Sequence, residues 1–485
     1  MQLDRRGLLQ TGAASLLVGA GGGLSGCAPF QGPADYSLKI AHSRIEIAPG
    51  VEIATKVYNG AFPGPLLRFD QSKPVVIDLH NDTDQPEQVH WHGQKLPVEV
   101  DGATEEGTPP LAPRSARRIR FTPGPAGFRF YHTHAMAMGD LTAGQYNGQV
   151  GPVFITPRQD PGRYDQEIFL TLKEFEPSLS QGGDMAMDFL DPAAPDEKLK
   201  AIGEAAMQAS LARGMPHGYE VGYKYFTING RMLGHAEPLR VRAGERVLFH
   251  VLNGSATEIR SLALPGHVFK VVALDGNPVA TQATTPVLWL GTAERVSAIV
   301  EMNHPGVWVM GDLADDDRSH GMGLVVEYAG RTGPPQWFAP PSVRWNYADF
   351  GLTNICAAKP DEILEMTFAK ENAADKGFNR WTINGVAFSD RANQPLFTLQ
   401  KNKRYRLRLR NQSDDIHPVH LHRHSFEITK IAGRPTCGVL KDVVMLNGYQ
   451  ETEVDFVADN PGRTLFHCHQ LLHMDFGFMC LFDYR

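Results

Sequence analysis

The sequence predicts an all-β chain built from three consecutive β-sandwich domains, and three observations carry that prediction. Apolar and polar residues alternate over short runs, the period of a strand with one buried face. Turn formers separate the runs, with 48 Gly and 34 Pro among 485 residues. A weak internal echo recurs in LLRFDQSKPVVIDLHNDT, PLRVRAGERVLFHVLNGS and PLFTLQKNKRYRLRLRNQS. Each copy reads as an apolar strand, a polar turn, a second alternating strand, then Asn and a small polar residue, so one unit is repeated.

The first 27 residues are expected to lie outside the fold. The twin arginine Arg5-Arg6 precedes the mild apolar stretch TGAASLLVGAGGGLSG, which is too short and glycine-rich to span a bilayer. It reads as a twin-arginine export signal. Leu24-Ser25-Gly26-Cys27 resembles a lipobox, which implies lipid attachment at Cys27 and a periplasmic or cell-envelope location. The first sandwich is expected over 36–160, with strands such as PVVIDLHN and RRIRFTP. The second spans 164–330, with RVLFHVLN, HVFKVVALDG and RVSAIVEM. Within it, 177–222 reads as an insertion, either a lid or an inert excursion. Its segment KLKAIGEAAMQASLARG (198–214) has helix-forming composition and a terminal glycine. The Pro-rich linker GPPQWFAPP (333–341) leads into the third sandwich, 337–485, with RYRLRLRNQ, FEITKIAG and TEVDFVAD.

A charged fraction of 21%, a net charge of −7 and no basic block argue against nucleic-acid binding. Beyond Cys27 the cysteines are Cys356, Cys437, Cys468 and Cys480, too few for a disulfide framework. At most one bridge forms among Cys356, Cys437 and Cys480, and buried thiols are the expectation.

Chemistry is carried by histidine. The chain has 19, for which chance gives about one His-x-His pair. It holds HWH (His90, His92), HTH (His132, His134), HLH (His420, His422), overlapped by HRH (His422, His424), and HCH (His467, His469). Residues two apart on a strand share a face, so each pair offers two imidazoles to one space. Imidazole is the common ligand of copper, zinc and iron. Cys468 with His417 and His473 makes a His₂Cys donor set, the arrangement of an electron-transfer copper. Zinc would favour a closed set with more cysteines. The remaining eight histidines would hold further metal between the first and third domains.

Taken together, HWHG, YHTH, HPVHLHRH and HCHxxxHxxxxF resemble the four copper motifs of the multicopper oxidases, in order and over nearly the whole mature chain. Laccases, ascorbate oxidases and metallo-oxidases form that family. The resemblance implies three Greek-key sandwiches of the cupredoxin type and four coppers. It places His417, Cys468 and His473 on the type 1 copper, and His90 and His420 on the type 2 copper. His92, His132, His134, His422, His467 and His469 would hold the type 3 pair. Cys468 would collect single electrons that its neighbours His467 and His469 carry onward. Small reductants, phenols or aromatic amines, are the implied partners, with dioxygen reduced to water. A metallo-oxidase for Cu(I) or Fe(II) in metal tolerance and a non-catalytic scaffold are the alternatives. Scaffold relatives lose ligands, and here all ten histidines and the cysteine are present.

Several positions refine that expectation. Phe478 stands where many members have an axial Met, and phenylalanine cannot coordinate, which should raise the type 1 potential. Met479 would enter only on a shifted strand. Asp101 matches an acid that assists proton delivery near the type 2 copper. Met474 occupies a position where bacterial relatives carry an acidic relay residue, with Asp475 turned elsewhere. Arg423 replaces a common Gly and should either face solvent or pair with an acid. Met136, Met138, Met185 and Met187 are expected to pack in the core.

Overall fold

Each copy of the echo crosses from one sheet of a sandwich to the other. The computed structural model describes residues 32–157, 162–180, 189–190, 195–215, 217–352, 358–391 and 394–485. The first echo strands, Leu67–Asp70, Leu239–Val241 and Phe397–Leu399, run parallel to Val150–Thr156, Gly323–Tyr328 and Met479–Tyr484. The second echo strands, Val75–Asn81, Arg246–Asn253 and Arg404–Asn411, run parallel to Tyr36–Ala48, Gln166–Ser180 and Glu362–Asp375 in the facing sheets. Among the described residues six sheets result, two per repeat, of four and four, seven and five, and six and five strands. The expected all-β class is therefore what forms.

The asparagine that closes each echo has a structural task. Asn81, Asn253 and Asn411 are fully buried. Each side-chain amide donates to loop carbonyls, of Gln85, Leu111 and Ala112, of Glu258 and Leu290, and of Asp415 and Asn447. Each Oδ1 accepts the backbone N–H two residues on, at Thr83, Ser255 and Ser413. An Asx turn at the strand end thus fixes where the following loop departs. A second threefold repeat went unread in the sequence. Asn59-Gly60, Asn229-Gly230 and Asn384-Gly385 all sit at positive φ, 52/75°, 53/73° and 53/77°, in two-residue turns bridged by Tyr58 with Ala61, Ile228 with Arg231 and Ile383 with Val386. Asn followed by Gly is the pair that tolerates two consecutive left-handed residues.

Burial follows the predicted alternation. In Arg404–Asn411, Tyr405, Leu407 and Leu409 point inward with 0% exposure, each leucine contributing about 2 kcal/mol. The arginines between them pair outward with Glu365, Glu427, Glu451, Glu453 and Asp455.

The predicted helix forms as Glu197–Ala212, capped by Asp196, which accepts from Lys198 N and Leu199 N. Residues 177–180 and 220–222 of the expected insertion are paired strand. The helix lies against the third domain. Asp196 N donates to Tyr449 O at 2.9 Å, and a side chain on Gly203 would come within 2.1 Å of Gln412 O. Among the described residues no helix is long and apolar enough to cross a membrane. The export signal, Cys27, Cys356, Met185 and Met187 lie outside the described residues.

Candidate metal centre

Two short strands from opposite ends of the chain bring the histidines together. His90–His92 is a three-residue strand beside Gly127–His132, with His90 opposite His132. Trp91, between the two ligand positions, turns the other way into the core against Phe121 and Tyr131. The strand His417–Leu421 lies between Val443–Leu446 and Thr464–Cys468, and places His420 opposite His467 and Val419 opposite Cys468. Between the two domains the rings of His92 and His420 stack at 3.8 Å and those of His90 and His422 at 4.1 Å. All ten histidines and Cys468 are at most 3% exposed.

They form two groups. In the first, Cys468 Sγ lies 3.7 Å from His417 Nδ1 and 3.5 Å from His473 Nδ1, and those nitrogens are 3.2 Å apart. Ser413, held by the Asn411 turn, bonds His417 Nε2 at 2.9 Å and leaves Nδ1 toward the sulfur. Trp381 covers this trio, 4.3 Å from the His473 ring and 4.9 Å from His417. The second group holds the other eight histidines: donor atoms of His90, His92, His132, His134, His420, His422 and His467 gather in overlapping sets within 4.8 Å, and the His469 ring lies 5.1 Å from those of His92 and His132.

Hydrogen bonds on the outer side of the second group decide which nitrogens face inward. Nδ1 of His90, His132, His420 and His467 lies 2.7–2.9 Å from a backbone carbonyl. A carbonyl only accepts, so Nδ1 carries the proton and Nε2 keeps its lone pair. His92 is the reverse: Nε2 donates to Asp442 Oδ1 at 3.0 Å and Nδ1 stays bare. No protein partner meets His90 Nε2, His92 Nδ1, His132 Nε2, His134 Nε2, His420 Nε2 or either nitrogen of His469 among the described residues. Each such buried orphan costs about 1–3 kcal/mol, and so many together are tolerable only around metal. Burial and mutual repulsion hold His92, His132, His417, His420, His422, His467 and His469 well below 6.5, in the neutral ligating form, and burial pushes His473 down to about 4. His134 differs: burial lowers it, but the Glu105 carboxylate 3.4 Å away carries the net shift upward.

Carboxylates surround the larger group. Asp101 ends the short helix Val98–Asp101, and its Oδ2 lies 3.1 Å from both His90 Nδ1 and His422 Nδ1. The helix must stop at glycine, because a Cβ on Gly102 would sit 1.9 Å from Val89 O. Glu105, Glu106 and Asp442 also reach histidines of the cluster and were not read from the sequence. The available signal was Lys441-Asp442 inside the apolar run GVLKDVVML. Asp475 accepts Ala137 N and Met138 N, in the loop that follows His134, and burial raises it to about 7.

Two expectations need correction. Arg423 neither faces solvent nor bonds an acid directly. It is 1% exposed and donates to the carbonyls of Leu96, Asn460, Pro461 and Arg463 and to Thr464 Oγ1. Its φ of +59° explains why glycine suits the position. Met136 and Met138 are not core residues but 39% and 42% exposed, on either side of buried Ala137, whose N–H is tied to the buried Asp475 carboxylate. Phe478 is fully buried 4.8 Å from the His417 ring. Met479 pairs with His467 across the ladder, so strand alternation turns it from the Cys468 side. Cys437 and Cys480 are buried thiols.

Donor set, orphaned nitrogens and domain order all fit a four-copper centre. The multicopper oxidase family profile matches residues 39–160, 203–323 and 331–485, most of the chain. This chain belongs to the multicopper oxidase family. Multicopper oxidase MmcO of Mycobacterium tuberculosis is 29% identical over 451 residues, covering 91% of this chain and 85% of that protein. Bilirubin oxidase of Albifimbria verrucaria is 26% identical, covering 92% and 76%. A multi-copper oxidase from Pseudomonas thermotolerans superposes with a TM-score of 0.66 at 25% identity, covering 93% of this chain and 100% of the other. As in the family, the sandwiches are cupredoxin-like and the cofactor is copper.

Proposed function

We propose that this multicopper oxidase is laccase-like, taking electrons singly from phenols, aromatic amines or similar reductants and using them to reduce dioxygen to water. What carries it is the adjacency of a buried His₂Cys trio and an eight-imidazole cluster through the tripeptide His467-Cys468-His469. His417, Cys468 and His473 would hold the type 1 ion, His90 and His420 the type 2 ion, and His92, His132, His134, His422, His467 and His469 the type 3 pair. When bound, copper supplies one-electron acceptance at the trio and the four-electron capacity that dioxygen requires. The protein joins the two sites covalently, excludes water from both, and holds a proton acceptor, Asp101 Oδ2, against two imidazoles of the cluster. Trp381 roofs the trio, so electrons from a bulky donor would pass its ring edge.

Four coppers per chain, and four phenol molecules oxidised per dioxygen consumed, are expected. Faster turnover of Cu(I) or Fe(II) than of any phenol would move the assignment to a metallo-oxidase. Exposed Met136 and Met138 favour that second reading, since thioethers are soft ligands.

Phe478 is proposed as a non-coordinating axial residue. Phe478→Met is then expected to lower the type 1 potential by at least about 59 mV, tenfold for a one-electron couple. Redox titration showing no drop would remove Phe478 from that role. We also propose twin-arginine export and lipid attachment at Cys27, supported by Arg5-Arg6 and Leu24-Ser25-Gly26-Cys27. Cys27→Ser should abolish incorporation of labelled fatty acid in cells, and continued labelling would exclude that anchor.

A further inference from the structure

Six charged side chains are sealed where the three domains meet. Arg129 comes from the first domain, Asp275, Glu294 and Arg295 from the second, and Lys441 and Asp442 from the third; each is at most 1% exposed. Three cations face three carboxylates. Lys441 Nζ joins Asp275 at 3.0 Å and Glu294 at 2.9 Å. Asp442 is the hub. Its carboxylate takes Arg295 Nη1 and Nη2 at 2.7 and 2.6 Å, Arg129 Nη1 at 3.1 Å and His92 Nε2 at 3.0 Å. Its backbone carbonyl takes His420 Nδ1 at 2.7 Å.

Arg295 is itself held from several sides. Nη1 donates to Ala293 O at 2.8 Å and Nη2 to Asp275 O at 3.2 Å. Asp275 Oδ2 in turn accepts the backbone N–H of Asp442 and of Val443. A Cβ on Gly93, the residue after His92, would meet Asp442 Oδ2 at 2.6 Å and Arg295 Nη2 at 2.7 Å. The chain leaving His92 is thus pressed against this fork.

We infer that Arg295 is a positioning residue for the imidazole cluster: the middle domain, which supplies no proposed ligand, dictates through Asp442 which nitrogen of His92 faces the metal. The inference rests on the copper-oxidase reading above. His92 is the ring whose proton sits on Nε2 because a carboxylate demands it there, while its counterparts at His90, His132 and His420 are set by carbonyls. A guanidinium fork meets both carboxylate oxygens and still reaches two carbonyls; a lysine ammonium cannot. Partners outside the ligand shell commonly change metal affinity by about 10–100-fold when removed. None of the six bonds to His417, Cys468 or His473, so the trio should be indifferent.

Arg295→Lys and Asp442→Asn are the variants, measured for copper per chain, blue absorption, thermal midpoint and, in the metal-free protein, the histidine nitrogen and proton resonances. Both are expected to keep the blue band per chain, to lose cluster copper so that the total falls from four toward one, and to lose the His92 Nε2–H signal. Retention of all copper and of that signal in both variants overturns the inference. So does parallel loss of blue absorption and cluster copper with a lower midpoint, which is the mark of a mere interdomain clamp. A wild-type protein that binds no copper would instead sink the oxidase reading, and the metal-free resonances would still decide the role of Arg295.

Discussion

Cys468→Ser is expected to abolish blue absorption and oxidase activity together while the fold persists. The sulfur stands within 3.7 Å of both imidazole nitrogens of its group and supplies the one soft donor there. Blue absorption arises from copper–thiolate bonding, and a serine hydroxyl does not ionise to replace it. The strand Thr464–Cys468 remains paired with His417–Leu421 and Met479–Tyr484. A buried hydroxyl in place of a buried thiol costs about 1–3 kcal/mol, too little to unfold a chain of this size. His467 and His469 are unchanged, so copper should fall from four to about three per chain. Elemental analysis, a visible spectrum and oxygen uptake on the same sample test this. A persisting blue band would contradict the placement of copper on Cys468.

Asp101→Asn should slow dioxygen reduction by about 10²–10⁴-fold, the range for loss of a positioned proton-transfer group. Its Oδ2 touches two cluster imidazoles at 3.1 Å and has no contact with the trio. Uptake of electrons from substrate should therefore continue at its normal rate. The two effects separate in time: mixed with substrate and air, the variant should bleach and stay bleached, whereas the wild type should keep part of its blue colour at steady state. The amide is isosteric, so the backbone bond from His90 Nδ1 to the Asp101 carbonyl survives. Near-normal turnover would reduce Asp101 to a residue that merely ends a turn.

Much of the site was legible because strands have a period of two. His-x-His on a strand commits both imidazoles to one face, and four such pairs announce metal before any coordinates exist. The echo was legible for a similar reason, since each alternating strand ends on an asparagine whose turn is local. Three features were not. By sequence Arg423 should face solvent or pair with an acid, and only the four carbonyls that converge on it from 96 and 460–463 explain its burial. Met136 and Met138 are expected in the core by composition, yet the Asp475 carboxylate, over 300 positions away, anchors the backbone between them and leaves both side chains exposed. Glu105 and Glu106 lie in a loop whose composition suggests solvent, yet both point inward.

From residue order alone come the all-β class, the threefold repeat and the eleven side chains proposed to bind metal, with copper implied by the resemblance of their motifs. These follow from side-chain identity and from spacing along a backbone whose geometry is periodic. Tertiary structure alone settled which nitrogen of His90, His92, His132 and His420 is bare, that Met479 turns away from Cys468 while Phe478 stays beside it, and that Arg129, Arg295, Lys441, Asp275, Glu294 and Asp442 neutralise one another in the interior. Some partners are near in sequence, as Thr133 O is for His132, and others hundreds of residues distant, as Asp442 is for His92; a carbonyl, a carboxylate or a guanidinium declares its hydrogen bond only once folding has brought it there.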